Sequence, residues 1–140
     1  MQKYRFLSHT ADAKFQAFGK TLEEAFSNAA LATASLMWDP KKIEKKKELQ
    51  VEIAGNDLKQ LLSCFLEEII YLLDSKMFLL SSAEKIRVKK EGSRYSLKAL
   101  FRGDEYSNKY EIHGDIKAIT YNEMKIEKRD HFMVQVVVDV

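Results

Sequence analysis

The cleanest two-residue alternation lies at the carboxyl end, where Phe132, Val134, Val136, Val138 and Val140 alternate with Met133, Gln135, Val137 and Asp139. A period of two over that length predicts a strand across 132–140. Near the other end, residues 3–7 and 13–18 have the same character, with Phe15 and Ala17 set against Lys14 and Gln16. Between them stand Ser8, His9, Thr10 and Asp12, short polar groups that bend a backbone or bind something. Two strands joined by a tight loop are expected.

The period then changes. Thr21-Leu-Glu-Glu24 is a capping box, in which the Thr21 hydroxyl accepts from the Glu24 amide and Glu24 reaches back. Leu22, Ala25, Phe26, Ala29, Thr33, Leu36 and Met37 follow at helical spacing, predicting a helix to about Trp38, before Asp39-Pro40. Lys41 to Glu48, KKIEKKKE, reads as a solvated charged linker, and LQVEIA at 49–54 as a third strand. Asp57 with Gln60 caps a second helix from Leu58 to about Ser75, apolar over more than one stripe and so expected in the core. The remainder reads as strands at 77–80, 85–90, 95–102, 110–113, 117–127 and 132–140, with turns at Glu91-Gly92-Ser93 and Lys128-Arg129-Asp130. This is an α+β pattern: two helices on a largely antiparallel sheet, one domain over 1–140, with a β-rich second half.

Neither composition nor net charge adds much to that picture. Of 140 residues 46% are hydrophobic and 31% charged, as in a globular protein. Lys and Arg number 23 against 21 Asp and Glu, and a net charge of +2 is too small to serve by itself as the footprint of a nucleic-acid binder, which leaves partners undecided. Cys64 is the single cysteine and lies in the apolar second helix, so it is expected to be a buried small hydrophobe in a reducing compartment. The amino-terminal MQKYRFLSHTAD has no apolar signal core, and no apolar run approaches the ~20 residues that span a bilayer. A soluble, cytoplasmic protein without membrane contact is expected.

Little in the chain suggests covalent chemistry. His9, His113 and His131 lack zinc spacing, and no nucleophile elbow, phosphate loop or C-x-x-C motif occurs. Glu67 and Glu68 are helix neighbours that diverge by ~100° and read as solvated charges. A strand that ends in Asp139-Val140 can bring a side-chain carboxylate and a main-chain carboxylate together. If it runs beside the first loop, Asp12 adds a third oxygen donor of the kind hard cations such as Ca²⁺ or Mg²⁺ accept. On the residues alone, the reading in which Asp12 caps its own turn and Asp139 is merely solvated is the favoured one. Lys117, after Gly114-Asp115, reads as a surface cation or as a group aimed at a phosphate or a partner's carboxylate.

Taken in order, HTAD at 9–12, F-x-A-x-G at 15–19, TLEEAFSNAA at 21–30, GDIKAITY at 114–121 and the terminal Asp139-Val140 resemble an archease. Residues 39–56 and 77–112 contribute little to the likeness. It implies a non-catalytic protein cofactor of an RtcB-type RNA ligase, promoting guanylylation by GTP and multiple turnover in tRNA splicing and RNA repair. It also implies a divalent-cation site, typically calcium, at Asp12, Asp139 and Val140, and partner-activation roles for Lys117 and His9. RNA contact is expected to be indirect or weak. Asn122 stands where many relatives carry a histidine after the tyrosine. The alternative is a chaperone-like module for a tRNA-modifying enzyme such as a methyltransferase, using the sheet surface and the basic run Lys41 to Lys47. A small metal-dependent phosphohydrolase is disfavoured because no general base is evident beside the carboxylates.

Overall fold

A computed structural model describes residues 1–9 and 11–140. Seven strands and two α-helices follow the order β1 (Tyr4–Leu7), β2 (Ala13–Gly19), α1 (Leu22–Ser35), β3 (Lys47–Gly55), α2 (Leu58–Lys76), β4 (Phe78–Glu91), β5 (Arg94–Glu105), β6 (Ala118–Lys128) and β7 (Phe132–Asp139). The strands form two antiparallel sheets, β1-β2-β7-β6 and β3-β5-β4. The α+β reading holds, but two sheets replace the single one expected.

Both capping boxes form. Thr21 Oγ1 accepts from Glu24 N at 3.1 Å and Asp57 Oδ1 from Gln60 N at 2.8 Å. Glu24 and Gln60 reach back one residue beyond the cap, to the amides of Lys20 and Asn56. The first helix ends at Ser35 rather than Trp38, although Trp38 N still donates to Ala34 O at 2.9 Å. Its sequence stripe understates its burial: Ala30, Ala32 and Ala34, outside the stripe, are also fully buried. The reason is architectural, since α1 touches strands of both sheets and small side chains allow that approach. Around it, Phe15, Phe26, Trp38, Phe65 and Phe101 belong to one hydrophobic cluster that draws on both helices and both sheets.

Three local expectations need correction. The segments 77–80 and 85–90 are one strand, interrupted by register shifts near Ser81 and at Lys85 and Ile86; Lys85 takes a left-handed φ of 52°. The segment 110–113 is not a strand. Tyr110 is tied down instead, its hydroxyl donating to Asp104 Oδ2 at 2.7 Å, while His113 N donates to Met37 O at 2.8 Å. A Cβ at Gly114 would run into the Leu36 carbonyl, so this loop lies against the end of α1 where only glycine fits. Cys64 is half-buried rather than enclosed, and burial, helped by the Glu67 charge, raises its thiol pKa. That environment disfavours the nucleophilic thiolate.

Candidate functional site

Strand β7 is central in its sheet and sets the geometry. On one side the register pairs Ala13 with Val138; on the other it pairs Ala118 with Asp139. Asp12 is the next residue beyond Ala13 and Asp139 the next beyond Val138, so the two carboxylates come from facing strand ends. Lys117 N donates to the Asp139 carbonyl at 2.8 Å, which joins the start of β6 to the same end of the sheet. Four of the five residues singled out in the sequence, Asp12, Asp139, Val140 and Lys117, are thus gathered by hydrogen-bonded neighbours of one strand. Asp12 and Asp139 are half-buried, whereas Lys117 and Val140 are exposed.

The loop leading to Asp12 is unusual in backbone and in support. Ala11 has a φ of 69°, a left-handed conformation that a residue with a Cβ seldom adopts outside turns. Thr10 lies outside the described residues. His9 Nε2 is 3.0 Å from Glu123 Oε2, and Lys14 Nζ donates to Glu123 Oε1 at 3.1 Å. The bonds from His9 and then Lys14 hold the Glu123 carboxyl below the usual carboxylate range. His9 Nδ1 is shielded from solvent with no hydrogen-bond partner among the described residues.

Glu123 is the residue that sequence reasoning missed. It reaches the loop because β6 carries a large bulge: Thr120 pairs with Val137 and Lys125 with Gln135, leaving residues 121–124 opposite Val136 alone. Glu123 sits in that bulge with a left-handed φ of 52°. Its carbonyl accepts from Gln135 Nε2 at 2.7 Å; Gln135 Oε1 accepts from Gln16 Nε2 at 2.9 Å; Gln16 Oε1 accepts from Arg5 Nη2 at 2.8 Å. This polar row crosses all four strands of the sheet on the face opposite the core. A signal was present: the inward apolar positions Ile119, Met124 and Ile126 change phase between 119 and 124, as an inserted bulge requires.

The donor chemistry at the strand ends is oxygen only. Among the described residues no group of three or more His, Cys, Asp or Glu side chains is placed to hold a metal ion. A cation there would therefore depend on the Asp12 and Asp139 carboxylates together with main-chain oxygens of Val140, a hard set that suits Ca²⁺ or Mg²⁺ rather than zinc. His113 and His131 are elsewhere, His131 against Phe18 and Asp130.

The alternative basic run is largely neutralised. Lys45 pairs with Glu84 at 3.3 Å, Lys46 with Glu44 at 2.9 Å and Lys47 with Glu105 at 3.7 Å. Hydrogen bonds from Lys46 and Lys109 lower the pKa of Glu44.

Fold and site together define a small two-sheet α+β protein that carries carboxylates at the end of a central strand, beside a loop braced from across the sheet. The chain belongs to the archease protein family, whose model matches residues 4–140. It is similar to protein archease of Pyrobaculum neutrophilum, 42% identical and covering 98% of this chain and 95% of that one. It is also similar to protein archease of Methanosarcina mazei, at 41% over 99% and 97%. Among solved structures, Methanobacterium thermoautotrophicum protein 1598 superposes with a TM-score of 0.84 at 30% identity over the whole of both chains. An archease from Thermotoga maritima shares the fold, with a TM-score of 0.61 at 24% identity over 96% of this chain and 94% of that one. Among the described residues no helix is long and apolar enough to cross a membrane.

Proposed function

We propose that this protein is a non-catalytic activator of an RtcB-type RNA ligase, raising guanylylation by GTP and so permitting multiple turnover in tRNA splicing and RNA repair. The observation that carries the reading is the facing of Asp12 and Asp139 across the β2–β7 register, with Lys117 bonded to the same strand end. Asp12, Asp139 and Val140 are the residues that would hold a divalent cation, Ca²⁺ in first place. Such an ion, when bound, neutralises charge on phosphate oxygens during nucleotidyl transfer. The chain's own part is to present this acidic end and the exposed Lys117 to the partner, with His9 buttressing the loop through Glu123. No covalent step is assigned to it.

The chaperone-like reading has one support, that the Thermotoga maritima protein has been called a possible chaperone. It needed the Lys41 to Lys47 run as a contact, and the ion pairs of Lys45, Lys46 and Lys47 weaken that requirement.

The test is RNA ligation under multiple-turnover conditions by the cognate ligase with GTP, comparing no helper, wild type and Asp139→Ala. Stimulation by wild type and not by the variant is expected, with both proteins folded. Stimulation by both overturns the site, and stimulation by neither overturns the function.

A further inference from the structure

A net charge of +2 conceals a segregation. Residues 85–98, the half of the β4–β5 hairpin nearest its turn, hold six of the 23 cationic side chains, Lys85, Arg87, Lys89, Lys90, Arg94 and Lys98, and one acidic residue, Glu91. That segment is +5, and the rest of the chain is therefore −3. All six cations are exposed. Among the described residues the only ion pair that any of them makes is Lys98 with Glu52, at 3.9 Å and with both side chains more than 70% exposed, which contributes almost nothing.

Their placement turns a charged segment into a surface. Val88 pairs with Leu97 toward the core, so Arg87 and Lys89 on β4 and Arg94 and Lys98 on β5 stand on the opposite, outward face. Arg87 is directly across from Lys98. Like charges directly opposite each other in an antiparallel pair cost stability, so this arrangement needs an explanation beyond solubility. Protection of a bare edge is a poor one. Although β4 is an edge strand, α1 already serves part of its backbone: Ser27 Oγ donates to the Ala83 carbonyl at 2.7 Å and Glu23 Oε2 accepts from Val88 N at 3.4 Å.

The geometry points to a sequence-independent binding surface for the phosphate backbone of single-stranded RNA on the outward face of the β4–β5 hairpin. Side chains on one face of a strand recur every ~6.8 Å, and a row of long cations at that interval can follow successive phosphates. An acidic protein fits less well, because protein interfaces centre on aromatic or apolar anchors and are depleted in lysine. The sole aromatic of the segment, Tyr95, packs inward beneath Lys90. The segment is invisible to a whole-chain charge count. That the strand is RNA rather than DNA rests on the ligase reading, whereas the phosphate contacts do not.

The test is fluorescence anisotropy of a labelled, unstructured single-stranded RNA with the full chain, titrated from about 50 to 200 mM salt. Four phosphate contacts predict a log-log slope near −2.8 and about a fifty-fold loss of affinity over that range. The pair Arg87→Glu and Lys89→Glu is expected to lower the slope by about 1.4 and weaken binding at low salt by at least about tenfold. Arg87→Glu faces Lys98 with opposite charge, so folding should be retained, checked by melting. Lys46→Glu with Lys47→Glu, in the ion-paired run, should change binding far less. No binding by wild type at low salt overturns the proposal. So does an equal loss in both pairs of variants, or competition by polyglutamate or by anionic vesicles as effective as that by unlabelled RNA.

Discussion

The carboxylate of Glu123 stands 3.0 Å from Nε2 of His9, across the width of β7, although 114 positions separate the two residues in the chain. The same carboxylate takes Lys14, so one side chain from the β6 bulge fixes both flanks of the loop that delivers Asp12. Groups that orient ligands from behind typically affect metal affinity by ~10–100-fold. Glu123→Ala should therefore weaken Ca²⁺ binding by about tenfold, measured by calorimetry, with little change in melting temperature because the pair is partly exposed. Unchanged affinity would mean that the loop holds its shape without the strap.

The strap is itself held from beneath. Gln135 is 3% exposed and uses both ends of its amide, donating to Glu123 O and accepting from Gln16. Gln135→Leu fills similar space but leaves the Gln16 amide and the Glu123 carbonyl short of partners. An unsatisfied buried polar group costs about 1–3 kcal/mol, and because these two bonds are only part-buried the lower part of that range applies. Urea denaturation should show a loss in that range, and Ca²⁺ affinity should fall with it because the bulge is released. A stability loss without any change in Ca²⁺ affinity would separate the bulge from the Asp12 loop.

What could be read from the sequence divides along the range of the interactions. Both helix starts were legible because a cap is settled within four residues, as Thr21 with Glu24 and Asp57 with Gln60 show. That β7 is a strand followed from its unbroken apolar alternation, but its place between β2 and β6, which sets Asp12 and Asp139 at facing strand ends, did not. Segment 110–113 was misread because Tyr110 owes its burial to Asp104 and Ile116 to the core, contacts that no local pattern reveals. The split into two sheets was hidden for the same reason: alternation identifies a strand face, not its neighbour. Glu123 escaped because a bulge shifts phase, and Tyr121-Asn122-Glu123 reads as ordinary strand until Met124 is seen to face inward.

Asp104 offers a pH test of the segment that is not a strand. The Tyr110 hydroxyl, followed by the Glu105 amide, holds its carboxyl below the ordinary value of 3.8 despite opposing burial. A depressed folded pKa means that the unfolded chain binds this proton more readily. The stabilisation is thus complete above about pH 4 and is lost as pH falls through the lower folded value. Tyr110→Phe should lower the melting temperature at neutral pH, and the gap from wild type should narrow progressively below about pH 4. A gap independent of pH down to about 2 would assign the Tyr110 effect to packing rather than to the carboxylate.

Asp12 and Asp139 can be tested as a unit, with a readout that does not involve the ligase. Replacing either by asparagine should leave the melting temperature close to that of wild type in the absence of divalent ions. With Ca²⁺ present wild type should melt higher than the variants, because an ion that binds only the folded state stabilises wild type by mass action and the variants much less. Each single change should weaken Ca²⁺ binding by at least about tenfold, since affinity at oxygen sites depends on ligand charge. The double variant should be hardly weaker than either single one, as expected for ligands of one shared ion. Strict additivity of the two losses would show that the carboxylates act separately, and wild-type melting unmoved by excess Ca²⁺ would show that the end of β7 is not a cation site.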